Sequence, residues 1–109
     1  MRLAFLSFLV AALSACGGGV NRQAADACMG EVASRLVGKR YDVDVGRLAG
    51  SAAPSAASTL QLSAPIVFDR GTETEYTQTI QCRVRLDEAG PAVVFLQFDW
   101  NMDDVRKTQ

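Results

Sequence analysis

Few residues of this chain can do chemistry. It has no histidine, its only lysines are Lys39 and Lys107, and its cysteines are Cys16, Cys28 and Cys82. Acid–base or cation chemistry would therefore fall to carboxylates, and Asp42 and Asp44 are the pair best placed for it. Two residues apart on a strand, they would share a face with alpha carbons about 6.5–7 Å apart, a spacing that suits paired carboxyl groups or part of a hard-cation site. The same pair equally describes a solvated strand face. Neither a substrate cleft nor the further oxygen ligands of a calcium loop can be read around it, and Asp103 and Asp104 read as solubilising charges. With no nucleophile set beside a base, the chain reads as non-enzymatic, with no cofactor and no metal. A binding surface is the stronger expectation: Thr77, Thr79, Gln81, Arg83 and Arg85 fall on one face of an alternating segment, flanked by Val93 and Phe95 of the next. Exposed, the two apolar side chains would mark a contact patch; alternatively the stems of Arg83 and Arg85 cover them.

The elements that must position these residues are legible from hydrophobic period. Ala25, Cys28, Met29, Val32 and Leu36 recur at helical steps, with Asn21 as a candidate cap and Gly38 as a candidate stop. Tyr41 to Leu48 alternates like a half-buried strand, and Ala49 to Ser58 is too small and plain to pack, a mobile loop or hairpin connection. Thr59 to Phe68 places Leu60, Leu62, Ala64, Ile66 and Phe68 on one side, and Pro65 within it suits an edge strand or a bulge. After a turn at Asp69-Arg70-Gly71-Thr72 comes the clearest alternation, Tyr76, Gln78, Ile80, Cys82, Val84 and Leu86 facing inward against Thr77 to Arg85 facing out. The last strand, Ala92 to Trp100, is expected to turn Val94, Leu96, Phe98 and Trp100 inward. Trp100 with Phe98 either anchors a contact or closes the base of the core.

The N-terminus is an address. A single positive charge at Arg2, an apolar run from Leu3 to Leu13 and a small-residue end make a secretory signal, far shorter than the ~20 apolar residues of a spanning helix. Its end, Leu13-Ser14-Ala15-Cys16, resembles the lipobox of bacterial lipoproteins at every position. That resemblance implies a diacylglyceryl group on the Cys16 sulfur, cleavage before Cys16 and acylation of the new amino terminus. It also implies an envelope location facing the periplasm, and the absence of Asp just after Cys16 resembles lipoproteins sorted to the outer membrane. Two or more acyl chains anchor a protein stably where one is marginal. The chain then divides into a signal peptide over 1–15, the lipidated Cys16 with a glycine-rich tether over 16–20, one domain over 21–100 and a polar tail over 101–109.

Removing residues 1–15 takes away Arg2, so 11 basic residues become 10 against 12 acidic ones, a net charge of −2. This argues against a nucleic-acid partner, which needs clustered positive charge. If lipid takes Cys16, cysteine parity leaves Cys28 and Cys82 to pair, and nothing in their spacing resembles the Cys-x-x-Cys of a redox pair. An inward cysteine on the helix and an inward cysteine on a strand can meet only if the helix lies across the sheet. The expected fold is therefore α+β, one N-terminal helix packed on a four-stranded antiparallel meander in a two-layer sandwich. The plan is similar to that of small uncharacterised periplasmic lipoproteins with a helix cysteine and a late strand cysteine. Its expected partners are the membrane, through the lipid, and another envelope protein. A small periplasmic inhibitor or ligand-binding protein, using the 49–58 segment, is the alternative.

Overall fold

The computed structural model describes residues 19–100. The Leu13-Ser14-Ala15-Cys16 segment and the tail with Asp103 and Asp104 lie outside the described residues. The elements in chain order are α1 (Gly19–Arg35), β1 (Tyr41–Val43), α2 (Val45–Gly50), β2 (Ala53–Ala56), β3 (Thr59–Phe68), β4 (Tyr76–Asp87) and β5 (Gly90–Trp100). The architecture is α+β, with α1 laid on one face of an antiparallel sheet of order β1-β3-β4-β5. The expected meander is present in that order, and β2 adds a fifth strand by pairing with β3.

Helix α1 fully buries Ala24, Ala25, Cys28 and Val32, while Met29 and Leu36 pack against the core from its margins. Small residues at 24, 25 and 28 allow the helix backbone close to the sheet. Asn21 is not the cap: among the described residues Gly19 and Val20 are already helical, although the sequence expects them in the tether. These two added residues bring Val20 beside Leu86 and Pro91 around a cavity of about 210 Å³, apolar company that a start at Asn21 would forgo. Beyond Arg35 the chain stops turning at Gly38, whose φ of +83° is costly for any residue with a side chain.

Cys28 and Cys82, both fully buried, form the disulfide, with alpha carbons 6.4 Å apart and a sequence separation of 54. Closing a loop of this size is worth about 4 kcal/mol in the chain-entropy treatment, a large share of a small domain's stability. The bond joins α1 to β4 at the centre of a core that also holds Leu48, Leu62, Ile66, Ile80 and Val84.

The segment 41–48 is not one strand. β1 ends at Val43, and Asp44 then caps α2, its carboxylate accepting the Arg47 backbone N–H at 3.1 Å. Turning the chain into a helix buries Leu48 completely. The 49–58 segment takes the hairpin alternative: β2 pairs with the start of β3 around Ala57 and Ser58, with Ser58 at φ 56°.

Pro65 does not sit on an edge strand. β3 is interior, with β4 on one side and two short strands sharing the other, β2 against residues 59–61 and β1 against 66–68. Residues 62–65 fall in the gap between them. There the Ser63 N–H, directed away from β4, is taken by Ser51 Oγ at 2.8 Å. Pro65, two residues on and therefore facing the same way, has no N–H to satisfy. The proline is tolerated because the ladder is open at that point.

Candidate functional site

The helices pack on one face of the sheet, so the other face is open among the described residues. β4 organises it. Its inward residues Ile80, Cys82 and Val84 are buried, and the alternation turns Thr77, Thr79, Gln81, Arg83 and Arg85 outward. Register sets their neighbours: Gln61, Arg83 and Phe95 form one row across β3, β4 and β5, Ser63, Gln81 and Gln97 the next, and Pro65, Thr79 and Asp99 the one after.

These side chains are fastened to one another. Arg83 Nε donates to Gln61 Oε1 at 3.0 Å, and Gln61 Nε2 donates to Gln81 Oε1 at 3.1 Å. The Arg83 guanidinium carbon stands 4.9 Å from the centre of the Phe95 ring, a cation–π arrangement. Arg85 pairs with Asp87 at 3.6 Å, and Gln97 donates to Asp99. All six expected binding residues, Thr77, Thr79, Gln81, Arg83, Arg85 and Phe95, thus share one face, and Arg83 roofs Phe95.

Val93 is the exception to the expected patch. A β-bulge shifts the register between Arg83 and Val84, so that Arg83 pairs with Phe95 while Val84 pairs with Val93, and Val94 has no partner. Val93 packs against the core, and Val94, expected inward, is 49% exposed. Trp100 does not close the core either. It is 57% exposed and tilts over Tyr76 at 5.5 Å, which in turn stacks on Phe68 at 4.7 Å. On the outer edge of β5, the Leu96 carbonyl accepts Arg35 Nη1 at 2.9 Å, which occupies a group that a foreign strand would need.

The paired-carboxylate arrangement does not form. Asp42 bonds Arg70 Nε at 2.9 Å and Asp44 caps α2, so each carboxylate has a separate structural task. Among the described residues no group of three or more potential metal ligands assembles. The structure also brings together residues that no sequence pattern connects: Lys39, Arg40, Tyr41, Asp42 and Arg70 line an open cleft of about 390 Å³. The available signal was the Lys39-Arg40 dipeptide directly after the helix-ending glycine. Comparison with family models, curated proteins and solved structures finds no match, so the functional reading rests on these residues.

Proposed function

We propose that this chain is a lipid-anchored, non-catalytic module of a bacterial envelope, held at the outer membrane facing the periplasm, which binds another envelope component through the open face of its sheet. The membrane assignment is supported by the Leu13-Ser14-Ala15-Cys16 sequence behind its short apolar run. The binding assignment is carried by one observation, the linked array Gln81, Gln61, Arg83 and Phe95 on a face that neither helix covers. Side chains held in place before a partner arrives lose less rotamer freedom on association. Arginine stacked on an aromatic ring also offers a charged edge and an apolar plane in one contact, a combination frequent at binding hot spots. The absence of histidine and the separate structural tasks of Asp42 and Asp44 support a non-catalytic role.

The test compares the native chain with an Arg83→Glu, Arg85→Glu double variant in crosslinking pull-downs from intact cells. Both substitutions are on exposed side chains outside the buried core, and circular dichroism of the variant should match that of the native chain. The proposal expects one discrete envelope component captured by the native chain and lost with the variant. Equal capture by both would remove the sheet face from the account.

A further inference from the structure

We infer that the cleft between the α1–β1 connection and the β3–β4 turn is an anion site for a phosphate monoester group. Its walls carry Lys39, Arg40 and Arg70 against one carboxylate, Asp42, a local charge of 3 − 1 = +2 that matches a phosphate monoester dianion. Among the described residues neither Lys39 nor Arg40 pairs with a carboxylate. Arg70 is aimed by its partner: with Nε on Asp42 Oδ2 at 2.9 Å, the direction of its terminal nitrogens is fixed. Two planar guanidinium groups and an ammonium suit a tetrahedral oxyanion with several acceptor oxygens better than they suit a single carboxylate.

The two segments that carry the cations are locked together. The Asp69 N–H donates to the Arg40 carbonyl at 3.1 Å, so the backbone beside Arg70 is joined to the backbone at Arg40. The turn itself is braced although its residues are exposed. Thr72 Oγ1 donates to the Asp69 carbonyl at 2.7 Å, Thr74 Oγ1 to Asp69 Oδ2 at 3.1 Å, and the Gly71 N–H to Glu75 Oε1 at 2.7 Å. These bonds bury no core surface. They fix the position of Arg70 and engage Asp69 Oδ2 and Glu75 Oε1 within the turn, and none of Asp69, Glu73 and Glu75 is among the side chains that line the cleft. The site lies at the end of the sheet where Tyr41 pairs with Phe68 and Phe68 with Tyr76. The start of α1, beside Leu86 and Pro91, is at the opposite end, and the nine residue steps from Tyr76 to Arg85 put the two ends roughly 30 Å apart. The assignment does not depend on the lipid anchor.

The test is an amide-resolved NMR titration of the full chain, disulfide intact and in neutral detergent, with glycerol 3-phosphate, and a separate binding assay on vesicles of phosphatidylcholine with phosphatidic acid. The inference expects saturable shifts confined to Lys39, Arg40, Asp42 and the 69–75 turn. Arg70→Gln, and separately Lys39→Gln with Arg40→Gln, should weaken binding about tenfold, while Arg22→Gln on the far helix leaves it unchanged. Vesicle binding with the same variant dependence would support the site and assign the phosphate to a lipid headgroup; soluble ligand alone would assign it to a free monoester. Absence of saturation with both, or shifts spread over all the arginines and matched by sodium chloride at equal ionic strength, would overturn it.

Discussion

Arg83 on β4 and Phe95 on β5 face each other across the sheet in register, the guanidinium lying 4.9 Å from the ring centre on the side away from the helix. The pair makes an apolar ring compatible with an open face and holds a positive charge at the centre of that face. A double-mutant cycle with Arg83→Ala and Phe95→Ala should return a coupling of about 0.5–1 kcal/mol in urea unfolding, as for exposed cation–π pairs. Additive single variants would mean that the two side chains do not interact in solution.

The disulfide ties α1 to β4 across a sequence separation of 54. Reduction should add two hydrogens to the intact mass of the domain and lower the unfolding free energy by about 2–5 kcal/mol. Cys28→Ala with Cys82→Ala should behave as the reduced form does. An unfolding midpoint indifferent to reductant would contradict the role assigned to the bond.

Ser51 Oγ is the partner of the Ser63 N–H in the open stretch of β3, and it donates in turn to the Leu48 carbonyl at 2.6 Å. Ser51→Ala removes both bonds and should cost about 1–2 kcal/mol. Hydrogen exchange should quicken at Ser63 in particular, with the β3–β4 ladder unchanged.

Two glycines should respond in opposite directions. A side chain at Gly30 meets nothing within 4 Å, so Gly30→Ala on the exposed side of α1 should stabilise the protein by about 0.5–1 kcal/mol. At Gly71 the space is equally open but φ is +82°, and Gly71→Ala should destabilise by about 1 kcal/mol through backbone strain alone. Thermal unfolding distinguishes the two signs.

Much of the fold was legible because one-face burial leaves a strong period. The stripe Ala25, Cys28, Val32 located α1, and the alternation through Ile80, Cys82 and Val84 located β4 and the face its arginines occupy. The cysteines then implied how helix and sheet pack. The departures have local causes that a period cannot carry. Asp44 fits an alternating strand as well as it fits a helix cap, and only the burial of Leu48 favours the cap. One unpaired residue at Val94 inverts the faces of the residues before it, so a two-residue period read through Val93 assigns it to the wrong side. Pro65 was read from its missing donor alone, yet what admits it is the gap between β1 and β2, which is a property of two other strands. The basic cleft joins residues about thirty positions apart through the β1–β3 pairing, the Asp69 to Arg40 backbone hydrogen bond and the Arg70–Asp42 pair, and no spacing rule connects them.

The lipid assignment has its own readout. Replacing Cys16 with serine should move the protein from the membrane fraction to the soluble periplasmic fraction and abolish acyl labelling. Undiminished membrane association of Cys16→Ser would contradict the anchor while leaving the sheet face untouched.

The central claim is that the face carrying Arg83 meets a partner, and site-specific photocrosslinking in intact cells addresses it most directly. A photoreactive residue would be placed at Thr79 or Gln81 on the open face, and at Ala33 on the exposed side of α1 as a control. The account predicts a discrete adduct from positions 79 and 81 that is absent from position 33 and lost when Arg83 and Arg85 are reversed in charge. No adduct from the sheet face, or the same adduct from the helix, would contradict it.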